Sequence, residues 1–227
     1  MADGRLIIGT KRYSSWSLRG WLVVHLAGLD VEEVLIPIAG GGGTAGIRAV
    51  SPNGLVPYLE HCGARVWESL AIGEYCAEIA PALWPRERAA RAHARSIAAE
   101  MHAGFGALRA ALPMNLGRVA RPLGGQGLAG GLSDAVRGDV ARIEAVLSET
   151  RAAFGGGGPY LFGGELTVAD AMYAPVIARF LSYDVALSPV VAAYAASVRT
   201  HPLMVRWYDE AAREPEAWRL DRYESVA

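Results

Sequence analysis

The sequence predicts a mixed α/β half followed by an all-helical half. Strand-like and helix-like patterns alternate up to about residue 80, and only helical periodicity follows. The run "APALWPRER", with two prolines, falls where the period changes, which places a boundary at about 81 to 87 between domains 1–80 and 88–227. At 227 residues, 52% of them hydrophobic and 20% charged, the chain has ample apolar material for a core.

In the first half, "RLIIG" (5 to 9) reads as a strand and "SLRGWLVVHLAG" as a helix closed by Gly28. "VEEVLIPI" (31 to 38) is a second strand, followed by a glycine-rich loop and a helical turn ending at Ser51-Pro52. "VPYLEH" and "ARVWE" flank Cys62-Gly63 as a hairpin, and "SLAIGEYCAEIA" begins a helix at Ser69. The order is β-α-β-α-β-β-α. From Arg88 onward, Ala94, Ile97, Ala98, Met101, Phe105, Leu108 and Leu112 recur at helical spacing and predict one long helix. Residues 134 to 154 predict a second, and "TVADAMYAPVIARFL" a third, kinked by Pro175. Two shorter helices begin near Pro189 and Pro202, where proline suits a first turn. Glycine clusters at 124 to 131 and 155 to 158 read as joints between helices.

Bulk charge narrows the function. A net charge of −1 offers no field for nucleic acid or an anionic membrane, which leaves a small molecule as the expected partner. The apolar run from Trp21 is interrupted by His25, and the N-terminal stretch between Asp3 and Arg5 is no secretory core, so a cytoplasmic protein is expected. Cys62 and Cys76 fit neither a zinc pattern nor C-x-x-C, and buried packing without a disulfide is expected for both. The five histidines (His25, His61, His93, His102, His201) show no metal spacing. "GGGTAG" (41 to 46) matches G-x-G-x-x-G, but Pro52 closes any following helix within two turns, so it reads as a loop and not a dinucleotide site.

Three segments carry candidate chemistry. "KRYSSWSLRGW" sets Ser14, Ser15 and Ser17 at a strand-to-helix junction, where one hydroxyl caps the helix and another can donate to an anion at the positive end of the helix dipole. In "SPNGLVPYLE", Pro57 is an ordinary trans strand-edge proline by frequency, while a cis bond would present the Val56 backbone to an extended ligand. In "VWESLAIGEY", Ser69 is placed to cap a helix from Leu70, and the Glu68 carboxylate suits a ligand ammonium. Each segment alone is explained by capping or strand geometry.

Taken together, "SSWSLR", "SPNGLVPYL" and "ESLAIGEY" ahead of an all-helical half resemble a cytosolic glutathione transferase of the serine type. The resemblance implies a thioredoxin-like first domain that binds glutathione, and a helical domain that supplies the pocket for a small hydrophobic electrophile. It implies Ser14 as the hydroxyl that activates the glutathione sulfur, with Ser15 close behind and Tyr13 below both. It implies Val56 before a cis Pro57 pairing with the cysteinyl part, and Glu68 with Ser69 holding the γ-glutamyl end. Thr167 and Asp170 match the family's helix-capping box, a folding element. A homodimer, glutathione as co-substrate and no metal are also implied.

A free thiol has a pKa near 8.5, and lowering it by about two units takes roughly 2.7 kcal/mol of preference for the thiolate. One charge-assisted hydrogen bond and a helix N-terminus are of that size. The motif is nearest the zeta-like pattern S-S-C-x-W-R, with Trp16 in place of the cysteine and Leu18 in place of the tryptophan, which counts against the isomerase activity of that class. Arg95, His102 and Arg109 recur at seven-residue intervals and read as a solvated stripe; alternatively His102 and Arg109, beside Met101 and Phe105, enter the acceptor pocket. A glutathione-dependent isomerase or peroxidase is the rival within the class, and a non-catalytic scaffold of the same fold is the rival outside it.

Overall fold

The computed structural model describes residues 2–41, 43–118 and 131–224. A four-stranded sheet has the order β2-β1-β3-β4, built from β1 (Gly4–Gly9), β2 (Val31–Ile36), β3 (Tyr58–His61) and β4 (Ala64–Trp67). β1 runs parallel to β2 and antiparallel to β3, and β3 pairs antiparallel with β4. The parallel step needs a crossover, which helix α1 (Ser15–Leu26) provides. Leu6, Ile7 and Ile8 form an unbroken apolar run because the central strand is buried on both faces.

Local chemistry explains the element ends. Gly28, just past α1, has φ +69, the left-handed conformation that glycine adopts without a Cβ clash. β2 stops at Ile36, before Pro37, and the next free amide, that of Ile38, donates to Thr10 Oγ1 at 3.0 Å. Helix α2 (Ala45–Arg48) is a single turn, too short for a dinucleotide crossover, and Gly42 of "GGGTAG" lies outside the described residues. Cys62 (φ 48) and Gly63 (φ 82) make the two left-handed positions of a tight hairpin turn. That turn exposes Cys62, which corrects the expectation of burial; Cys76 is fully buried in α3 (Ser69–Ile79), and both are free thiols.

After a 3-10 turn at Pro81–Leu83 come α4 (Arg88–Ala103), α5 (Gly106–Ala111), α6 (Asp134–Phe154), α7 (Val168–Ser182), α8 (Pro189–Thr200) and α9 (Pro202–Ala212). The long helix expected from Arg88 to Leu112 is two helices, broken at Gly104 and at Phe105, whose φ is 58. The same apolar positions stay buried on both sides of the break, so periodicity did not reveal it. The glycine cluster at 124 to 131 lies outside the described residues except for Gly131. A 3-10 turn at Glu216–Trp218 and a last short helix, α10 (Asp221–Glu224), had no counterpart in the sequence reading.

α7 is the hub. Every residue from Val168 to Phe180 is buried, and the helix packs against α1 as well as α4 and α8. The core is therefore continuous from Leu6, Trp21 and Ile72 through Met101 and Ile143 to Trp207. The Asp170 carboxylate at its start accepts from Thr167 N (2.8 Å), Thr167 Oγ1 (2.7 Å), Leu161 N (3.1 Å) and the Tyr194 hydroxyl (3.1 Å). Pro175 lies inside this helix. Gly20 of α1 permits another close approach: a Cβ there would sit 2.6 Å from Pro57 Cγ, so glycine lets the segment before β3 press against α1 near Ser14. Among the described residues no helix is long and apolar enough to cross a membrane.

Candidate active site

A cavity of about 660 Å³, within the usual range for small-molecule sites, opens at the N-terminus of α1. Its sheet side is lined by Ser14, Ser15, Trp16, Val56, Pro57, Glu68 and Ser69, and its helical side by His102, Arg109, Met114 and Arg179. Tyr223 of α10 closes one flank.

The three serines have separate jobs. Ser14 is the N-cap of α1: its Oγ accepts from Ser17 N at 3.3 Å and lies 2.8 Å from Ser17 Oγ. Ser17 is fully buried and accepts from Gly9 N at 2.9 Å, tying the end of β1 to the helix start. Ser15 is the first helical residue, and its Oγ accepts from Arg179 Nη2 at 3.2 Å. Tyr13 also lines the cavity, but its hydroxyl is engaged by Glu224 and accepts from Leu220 N at 3.3 Å. Burial, and then the bond to Glu224, push the Tyr13 phenol up, away from a proton-transfer role at neutral pH.

The Val56-Pro57 bond is cis. Glu68 has φ 68 and occupies the cap position of α3 without a side-chain cap bond, so Ser69 is the first helical residue and not the cap the sequence suggested. The Ser69 hydroxyl lies 3.9 Å from Met172 Sδ. Glu68 Oε1 accepts from Asn53 Nδ2 at 3.2 Å, and its Oε2 is 3.6 Å from His102 Nε2. Asn53 was missed by sequence reasoning, although its place in "SPNG" is a signal for a polar turn residue; its Oδ1 accepts from Leu55 N at 3.0 Å.

Of the four residues considered for the acceptor side, His102 and Arg109 line the cavity, whereas Met101 and Phe105 turn into the hydrophobic core. Arg95 pairs on the surface with Glu74 at 3.0 Å. The seven-residue stripe is thus split within α4, between Arg95 and His102, whereas His102 and Arg109 both stay on the cavity across the break before α5.

The cavity lining is mostly apolar, in keeping with a hydrophobic electrophile, and it is also cationic. Trp16 has the Arg19 guanidinium 4.3 Å from its ring centroid, that of Arg109 at 5.4 Å, and His102 at its edge at 5.2 Å. Arg19 is fully buried; its Nε donates to Met172 O at 2.9 Å, and among the described residues Nη1 and Nη2 have no hydrogen-bond partner. Arg179, also buried, donates Nε to Leu112 O at 2.8 Å and Nη1 to Pro175 O at 3.1 Å. Among the described residues none of Arg19, Arg109 and Arg179 has a carboxylate partner. Burial and then mutual repulsion push the Arg19 guanidinium well down and that of Arg179 to about 10. Burial likewise lowers the His102 imidazole, against the pull of Glu68. Nothing in the pattern of "TVADAMYAPVIARFL" marked Arg179, because a helix residue's reach into a cavity depends on its neighbours.

Comparison with known families decides the class. A family model described as the glutathione S-transferase N-terminal domain matches residues 13–79, and the corresponding C-terminal domain model matches residues 89–210. The chain belongs to the glutathione S-transferase family. It is 29% identical over 194 residues to maleylacetoacetate isomerase of Rattus norvegicus, covering 83% of this chain and 84% of that one. The probable maleylacetoacetate isomerase of Caenorhabditis elegans is 27% identical over 192 residues, covering 83% and 85%. Among solved structures, a theta-class glutathione S-transferase from Xanthomonas axonopodis pv. citri, with glutathione bound, has a TM-score of 0.64 and 25% identity over 95% of this chain and 99% of that one. A glutathione transferase homolog from Burkholderia, also with bound glutathione, has a TM-score of 0.68 at 20% identity over 93% and 100%. The thioredoxin-like sheet half followed by helices is therefore the glutathione-transferase fold, and the enzyme class is that of the family.

Proposed function

We propose that this transferase binds glutathione with its cysteinyl backbone along Val56 and Pro57 and its γ-glutamyl end at Glu68 and Ser69, and presents the sulfur to the first turn of α1, at Ser14 and Ser15. Residues 1–80 would then form the glutathione side and residues 88–227 the acceptor side. The observation that carries the reading is that all these groups open into one cavity with the N-terminus of α1. The helix dipole, the serine hydroxyls and the uncompensated guanidinium groups all favour a thiolate over a thiol. The thiolate attacks an electrophile whose apolar body lies against Trp16 and Met114 and whose acidic group is received by Arg109 and Arg179.

Two chemistries use the same thiolate. Displacement of a leaving group gives a stable conjugate. Addition to a conjugated double bond, rotation about the new single bond and expulsion of the same thiolate gives isomerisation with glutathione returned. The isomerase relatives and the guanidinium groups that have no carboxylate partner among the described residues favour keeping the second reading beside the first. A cytoplasmic location and a homodimer belong to the same proposal, the first in keeping with two free cysteines.

The test is a calorimetric glutathione titration combined with the ultraviolet absorbance of bound thiolate against pH, followed by turnover of matched neutral and carboxylate-bearing electrophiles. Saturable binding, a thiol pKa below that of free glutathione and preference for the carboxylate-bearing partner are expected. Absence of binding at millimolar glutathione would leave the scaffold reading in its place.

A further inference from the structure

The two hydroxyls at the mouth of α1 differ in what holds them. Ser14 Oγ is committed to the helix through Ser17 N and Ser17 Oγ, and in that hydroxyl pair either oxygen can donate. Ser15 Oγ meets Arg179 Nη2 at 3.2 Å. A guanidinium has no acceptor, so the direction of this bond is fixed: Arg179 donates, a Ser15 lone pair accepts, and the Ser15 proton remains for an acceptor elsewhere. Arg179 is itself held at two further points, Leu112 O and Pro175 O, on the most buried helix of the molecule.

We propose that Arg179 is the positioning residue for thiol activation, turning the Ser15 proton toward the sulfur so that Ser15 stabilises the thiolate while Ser14 serves mainly as the helix cap. This rests on the glutathione reading above. The thiol proton leaves to water as glutathione binds, and neither Ser15 nor Arg179 transfers a proton; the Ser15 O–H donates a hydrogen bond to S⁻. A charged donor behind the hydroxyl strengthens that bond, since each bond in a chain polarises the next. Among the described residues, the other charged or titratable groups around the cavity and Arg179 are Arg19 of α1, Tyr13 just before it, Glu68 before α3, His102 on α4, Arg109 on α5, Tyr183 after α7, and Tyr223 and Glu224 on α10, and all of them are retained in every variant of the test.

The test compares Ser14→Ala, Ser15→Ala, Arg179→Lys, Arg179→Gln and the double variant Ser15→Ala/Arg179→Gln, reading the pKa of bound glutathione thiol, its dissociation constant, kcat and KM separately, and the melting temperature. Ser15→Ala and Arg179→Gln should each raise the thiol pKa by about 1 to 2 units, the size of a lost hydrogen bond to a charged group. Glutathione affinity should hold within about threefold while kcat at neutral pH falls about tenfold or more. In the double variant the shift should be less than the sum of the single shifts, because the two groups act through one bond. Arg179→Lys, which keeps the charge but not the fork, should give an intermediate pKa and covers the case in which Arg179→Gln fails to fold. Ser14→Ala should move the pKa less than half as far as Ser15→Ala and lower the melting temperature instead. A large pKa rise in Ser14→Ala with none in Ser15→Ala would overturn the proposal, as would fully additive Ser15 and Arg179 shifts or a wild-type pKa in Arg179→Lys. Failure of the wild-type protein to bind glutathione would be seen before any variant is compared and would strike the proposed function itself.

Discussion

Glu68 shows how much a single side chain is asked to do. It sits at φ 68, a left-handed position uncommon for a residue with a Cβ, and no backbone amide of α3 claims its carboxylate. The carboxylate instead lies half-exposed at the cavity edge, oriented by Asn53 and facing His102. Such placement suits an ammonium group, so Glu68→Gln, which keeps shape and loses charge, should raise KM for glutathione about tenfold with kcat changed less than twofold. Steady-state kinetics with the glutathione concentration varied checks this; a fall in kcat at unchanged KM would place Glu68 in the chemistry and not in binding.

Among elements, α5 takes its cap from a neighbouring helix. It is six residues long, far below the length at which a helix holds itself together, and its N-cap residue Phe105 offers no side-chain oxygen. The missing cap comes from α6: Asp139 Oδ2 accepts from Leu108 N at 2.9 Å. Asp139→Ala should therefore cost about 1 kcal/mol, or about 2–4 °C in melting temperature, as a lost cap does. Because α5 carries Arg109, KM for the acceptor should rise more than KM for glutathione. Thermal melts and two-substrate kinetics together check both halves of this expectation, and equal effects on the two KM values would show that α5 is not specific to the acceptor side.

At the scale of the molecule, a charged network fastens the C-terminal helices to the sheet. Lys11, after β1, lies between Trp21 and Trp207, with its ammonium 5.2 and 5.1 Å from the two ring centroids. It bonds to Glu33 of β2 at 2.6 Å and to Glu210 of α9. Burial pushes the Glu33 carboxyl up, but hydrogen bonds from His25 and Lys11 outweigh it and hold the group well below the usual range; Glu210 is lowered in the same way by Lys11 and Arg206. Carboxyls depressed in the fold stabilise it above their unfolded pKa of about 4.3, and that stability is lost as pH falls. Glu214, which burial pushes up, opposes this in the same window. The urea midpoint should therefore drop between pH 5 and pH 3, and Glu33→Gln should flatten the drop while lowering the midpoint at pH 7. A midpoint independent of pH in that range would remove the network from the account of stability. The strands, the seven-element order of the first half and the helices begun at Pro189 and Pro202 follow from short-range rules of periodicity and capping, whereas the serine, Val56-Pro57 and Glu68-Ser69 segments read singly as caps and a strand edge and stood out only together, through their resemblance to the glutathione transferases. The break at Gly104-Phe105, the turning of Met101 and Phe105 into the core, the hold of Arg179 on Ser15 across 164 residues and the cationic cavity did not follow from such rules. Hydrophobic period, caps and turns are written in neighbours along the chain and so are determined by sequence alone. Which side chain faces a cavity, and which charges remain without a partner there, depends on packing between distant segments, and only the tertiary structure decides it.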